Sequence, residues 1–144
     1  MLEYFLLVLL LVFVFRFFAA ALRQQGPAPA MGDQGNVIAI HSTAEWNAKL
    51  EEAGNKTIVV DFTATWCGPC RHMAPVFVEL SKKYPSLVFL KVDVDQVTEV
   101  AGLWDVQAMP TFIFIKNKKL VHKIVGANKD ELEKKSLAFS SQPS

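Results

Sequence analysis

From residue 36 onward, short apolar runs alternate with stretches of helical period. "NVIAI" (36–40) predicts a strand. Ser42 begins a helix with Glu45 in the capping-box position; Trp46, Leu50 and Ala53 share one face, and Gly54 stops it. "TIVVDFTA" (57–64) is apolar on both faces apart from Asp61, the pattern of a central strand covered by helices. The next helix begins at the cysteines and runs to about Lys83. Pro75 is expected to kink it, because the amide bond to the carbonyl of Arg71 is lost. "LVFLKVDVD" (87–95) predicts a third strand and "VTEVAGLWDV" (97–106) a short helix. "TFIFIK" and "KLVHKIV" form a hairpin about Asn117-Lys118, and a last helix starts at Asn128 with Glu131 in the box position. Alternating strands and helices followed by a hairpin imply an α/β domain with parallel central strands and an antiparallel edge.

Upstream the periodicity disappears. Residues 1–30 read as an apolar segment, "YFLLVLLLVFVFRFFAAAL", followed by the Pro/Ala-rich linker "QQGPAPA"; the domain is placed at 31–139, and 140–144 form a loose tail. Residues 4–22 would rise about 28 Å as a helix, against a hydrocarbon core of ~30 Å. Three readings stay open. As a membrane anchor, Arg16 and Arg23 bias the C-terminal side to the cytosol. As a secretory signal, the acidic start "MLEY" is unfavourable, although Ala28-Pro29-Ala30 offers a cleavage pattern. Alternatively Met31 is a second start, giving a soluble form; Gly32 follows it, but Asn36 stands where a myristoylation motif wants Ser or Thr.

Charge adds an exclusion. Residues 31–144 hold 13 basic and 13 acidic side chains, so a neutral domain without a basic patch gives no support to nucleic-acid binding.

The only two cysteines, Cys67 and Cys70, are separated by Gly68 and Pro69 in "VVDFTATWCGPCRHMAP". Zinc would need two more ligands; the histidines, at 41, 72 and 122, lack the usual pair spacing. A c-type haem site would need His where Arg71 stands. Two inert core thiols would be poorly served by Gly-Pro between them. The strand–CxxC–helix context favours a redox dithiol. Cys67 falls at the helix start, where unpaired N–H groups and the dipole favour a thiolate, and Pro69 suits the first turn. Cys70, one turn further in, can reach back to close the disulfide: Cys67 attacks and Cys70 resolves. Asp61, inside an apolar strand six residues before Cys67, is a candidate acid/base for the Cys70 thiol through a water. A structural pair with Lys91 on the adjacent strand is the plainer role, and the two are compatible.

These residues resemble a thioredoxin, and specifically the plant h-type: "VVDFTATWCGPC" matches the active-site strand and loop, "FLKVDVD" the third strand and "AMPTF" the cis-proline loop. The match covers about residues 36–139. It implies a thioredoxin fold, with a central mixed sheet flanked by helices on both faces. It implies a protein-disulfide reductase acting on disulfide-containing proteins, recharged by an NADPH-dependent thioredoxin reductase in the cytosol, with no metal or cofactor. It makes Cys67 the nucleophile, Cys70 the resolving thiol, Asp61 the buried acid/base and Lys91 its charge partner. Pro110 is expected to be cis, and the docking surface to comprise Trp66, Gly68, Pro69, Met109, Pro110 and Val125-Gly126-Ala127. Three departures stand out: Ile40 where many h-type relatives carry a further cysteine, a hairpin turn without glycine, and the apolar N-terminus. The main rival among oxidoreductases is a disulfide-forming or isomerising enzyme of a secretory compartment, but Gly-Pro between the cysteines resembles reductases, whereas isomerases of this fold usually carry Gly-His. A redox-independent binding module is the rival from another class.

Overall fold

The computed structural model describes the backbone of residues 1–21 and 34–143, and the side chains of 1–16 and 34–143. The chain divides into two units, Met1–Gly32 and Asp33–Ser144. In the first, α1 (Leu2–Ala21) exposes its large apolar side chains from Leu2 to Phe15. Among the described residues no helix is long and apolar enough to cross a membrane. The membrane-span expectation for residues 4–22 thus gains no support. Residue 22, Arg23, the linker, the Ala28-Pro29-Ala30 pattern, and Met31 and Gly32 lie outside the described residues.

The second unit is a five-stranded sheet in the order β1-β3-β2-β4-β5. β1 (Val37–Ile40), β3 (Val88–Asp93) and β2 (Ile58–Thr63) run parallel; β4 (Thr111–Lys116) and β5 (Lys119–Val125) continue it antiparallel. Strand parity sorts the core into two layers. Ile58, Val60 and Phe62 of β2 pack with Leu90, Val92 and Ile113 under α2 (Thr43–Ala53) and α4 (Thr98–Leu103). Val59, Phe89, Phe112 and Phe114 point the other way, onto α3 (Gly68–Lys83) and α5 (Lys129–Ser140). Asp61 and Lys91 share the parity of Val59 and Phe89 and are register partners, which puts both on the α3 side.

Local signals produce most ends. Ser42 caps α2 by accepting from Glu45 N at 3.1 Å; the Glu45 carboxylate accepts from His41 N rather than completing the box on Ser42. Asn128 caps α5 through Glu131 N. Helix α3 runs on through Pro75. Helix α4 is shorter than expected: the chain leaves it at Trp104, and Asp105 takes φ 51°, so Val106 N bonds back to Ala101 O. The hairpin turn manages without glycine because Asn117 and Lys118 both adopt left-handed backbone, φ 51° and 63°, and Lys118 pairs with Glu51 of α2. Entry to β1 requires a close approach: Gly35, at φ 55°, lies where a Cβ would come 2.7 Å from Ser81 Oγ, and the next residue, Asn36, donates its N–H to that same oxygen at 3.0 Å.

Candidate active site

Strand β2 ends at Thr63, and the chain turns through Ala64 into the cysteine loop, where Cys67 N donates to Ala64 O at 3.2 Å. Cys67 is the N-cap of α3. Its Sγ accepts from Cys70 N at 3.2 Å, so one unpaired N–H of the first turn already points at the sulfur before any charge develops on it. Pro69 occupies that first turn. Cys67 and Cys70 are joined as a disulfide with Cα atoms 5.3 Å apart, and they are only 4% and 3% exposed.

The two sulfurs face different surroundings. Cys67 Sγ sits 3.6 Å from the carbonyl oxygen of Met109, and the Met109–Pro110 bond is cis. Gly126 N donates to Pro110 O at 2.8 Å, which brings the loop after β5 to the same rim. Gly126 has φ 97°, open to glycine and strained for other residues. Trp66 is 65% exposed beside the pair, its indole N–H donating to Asp95 at 2.9 Å; Val125 and Ala127 are exposed, and Gly68 is half-buried. Cys70 instead lines a cleft of about 420 Å³ between α3 and the sheet, together with Asp61, Lys91, Arg71, Asp93 and Gln34.

Asp61 is 2% exposed, and its Oδ1 has no hydrogen-bond partner. Burial pushes its carboxyl from an ordinary 3.8 up to about 7, against the opposing pull of the Lys91 ammonium. A group balanced near neutral pH and opening onto the same cleft as Cys70 can take up or return a proton there.

The matching family profile is that of thioredoxin, over residues 37–137. The chain is 61% identical over 110 residues to a thioredoxin H-type from Picea mariana, covering 75% of this chain and 88% of the relative. It is 49% identical over 123 residues to thioredoxin H2-2 of Oryza sativa subsp. japonica, covering 82% and 92%. The chain belongs to the thioredoxin family. The crystal structure of thioredoxin NaTrxh from Nicotiana alata superposes with a TM-score of 0.73 at 48% identity, covering 76% of this chain and 97% of that one. A wild-type poplar thioredoxin h does so at 0.72 and 44%, covering 76% and 100%. The fold is therefore the thioredoxin fold, and the protein is a thiol–disulfide oxidoreductase of the h-type group.

The dithiol, Met109, Pro110, Gly126 and Trp66 thus gather at one rim of this thioredoxin, while Asp61 and Lys91 lie behind Cys70. Sequence reasoning passed over two contributors. Asp95, which holds the Trp66 ring, is one of two acids in "DVDQ". Gln34, at the cleft, belongs to a stretch without period. No local signal marks either of them.

Proposed function

We propose that this thioredoxin reduces disulfides of substrate proteins with Cys67 as the attacking thiolate and Cys70 as the resolving thiol. The carrying observation is the asymmetry of the pair: Cys67 caps α3 and meets the Met109 rim, whereas Cys70 opens onto the Asp61 cleft. Substrate docks over Trp66, Gly68, Pro69, Met109, Pro110 and Val125-Gly126-Ala127. Cys67 attacks one sulfur of the substrate disulfide, forming a mixed disulfide and releasing the other sulfur as a thiolate, which takes a proton. The Cys70 thiol loses its proton to Asp61 through water in the cleft and attacks Cys67 Sγ. The substrate leaves as a dithiol, and the enzyme is left oxidised. Lys91 steadies the Asp61 carboxylate before it takes that proton. An NADPH-dependent thioredoxin reductase returns two electrons to the Cys67–Cys70 disulfide. In a mixture of this protein, that reductase and insulin, NADPH consumption is expected to proceed to completion. Cys67→Ser should reduce it to background, and turnover retained in that variant would sink the assignment.

We place the domain in the cytosol, where a dithiol recharged in this way stays reduced. Asn55-Lys56-Thr57, with Asn55 exposed in the turn after α2, is an N-glycosylation acceptor that only a lumenal domain would fill. Full-length protein expressed in eukaryotic cells is expected to carry no glycan there. An endoglycosidase-sensitive mass increase abolished by Asn55→Gln would move the domain to the secretory pathway. Carbonate extraction of the same cells decides between a soluble form from Met31 and retention through residues 4–22.

A further inference from the structure

Lys123 stands on β5 opposite Ile113 of β4, half-buried, on the face of the sheet that α2 and α4 cover. Its ammonium donates to the carbonyl of Asp105 at 2.8 Å and reaches that of Trp104 at 3.4 Å. Both carbonyls close the end of α4, where intrahelical donors have run out and a cation is favoured. At this point Asp105 turns the chain out of the helix through left-handed backbone, and its carboxylate accepts from Gln107 Nε2 at 2.9 Å. The loop so started ends at Met109, beside Cys67 Sγ, and at Pro110, whose carbonyl accepts from Gly126 N. One strand therefore grips this loop twice, through Lys123 at its beginning and through Gly126, just past the end of β5, at its close.

We propose that Lys123 is a positioning residue for protein-substrate docking, setting where the Ala108–Met109 backbone lies against the dithiol. This rests on the reading that substrate docks at the Met109 rim. Lys123 touches neither sulfur and does not line the Asp61 cleft. Its loss displaces the surface that a polypeptide lies on and leaves the thiol chemistry alone. A small disulfide that needs only a reactive Cys67 is spared, and an extended chain held along the loop is not.

The test is steady-state kinetics of Lys123→Met, which keeps the apolar stem and removes the donors, and of Lys123→Arg, which keeps charge and donors. Substrates are insulin and the small disulfide 5,5′-dithiobis(2-nitrobenzoate). For Lys123→Met we expect KM for insulin to rise about five- to tenfold, less than the full loss of a charge-assisted hydrogen bond because Lys123 acts on substrate only through the loop, with kcat held within about twofold. Reduction of the small disulfide should be unchanged, and Lys123→Arg should restore KM. An unchanged KM, or a KM that Lys123→Arg fails to restore, would overturn the proposal. So would a parallel fall in kcat, in small-disulfide reduction and in melting temperature, the mark of general loosening. A parent protein that fails to reduce insulin would withdraw the reductase reading, and this inference with it; a working parent with an indifferent Lys123→Met withdraws the inference alone.

Discussion

A Cys70→Ser variant incubated with cell extract is expected to accumulate substrate proteins as covalent adducts that dithiothreitol releases. Cys67 in that variant keeps its helix N-cap position and the backbone N–H of residue 70, so the first attack proceeds. The mixed disulfide then has no fast internal exit, because a serine hydroxyl has far too little anionic character at neutral pH to displace a thiolate. Multiple turnover of insulin should fall on the order of 10³-fold or more, the scale on which loss of one member of a covalent catalytic pair is felt. Cys67→Ser should trap nothing, since the remaining thiol lines the interior cleft instead of the rim. Electrophoresis without reductant reads out both variants. Adducts on Cys67→Ser would reverse the two roles, and adducts on neither would favour a redox-independent binding module.

The second large effect is expected at Asp61, where rate and stability should move in opposite directions. Asp61→Asn removes the base from the cleft, so release from a preformed mixed disulfide should slow by about 10²-fold at pH 8. In the parent this release should accelerate as pH rises through about 7, where the Asp61 carboxyl ionises, and in the variant that dependence should flatten. The opening attack by Cys67, followed in a single turnover, should change much less. Stability follows from the same raised value. Below the ordinary carboxyl value of 3.8, Asp61 is protonated folded or unfolded and costs nothing. Between 3.8 and about 7 the folded state holds a proton that the unfolded chain has released, so the native state loses ground as pH rises. Above about 7 the whole cost of a buried charge is present, on the order of 4 kcal/mol before relaxation. Asp61→Asn should accordingly gain about 2–4 kcal/mol at pH 8 and almost nothing at pH 4. Urea unfolding at the two values checks this; an equal difference at both would rule out the buried charge as its source.

What the chain determined by itself is what depends on neighbours a few residues away. The parity of "TIVVDFTA" assigns Ile58, Val60 and Phe62 to one layer and Val59 and Asp61 to the other, because successive side chains of a strand alternate. Ser42 and Asn128 accept from backbone N–H groups three residues on, so their caps are written locally. The same holds for Cys67 at the start of α3, with Pro69 behind it, and this is why the reactive end of the dithiol was legible. What surrounds that sulfur was legible only through the family resemblance, which put Met109 and a cis Pro110 beside it; residue pattern alone carried none of it. Trp66 finds Asp95 across 29 residues and Cys67 finds Met109 across 42, and these meetings exist only because β3 and β4 flank β2 on its two sides. The early end of α4 followed the same logic: "VTEVAGLWDV" has enough helical pattern to continue to Val106, but the turn at Asp105 is held by Lys123 from another strand. Tertiary structure alone decided which lysine among fifteen basic residues grips the loop after α4, because a hydrogen bond to a backbone carbonyl leaves no trace in the identity of the residue that accepts it.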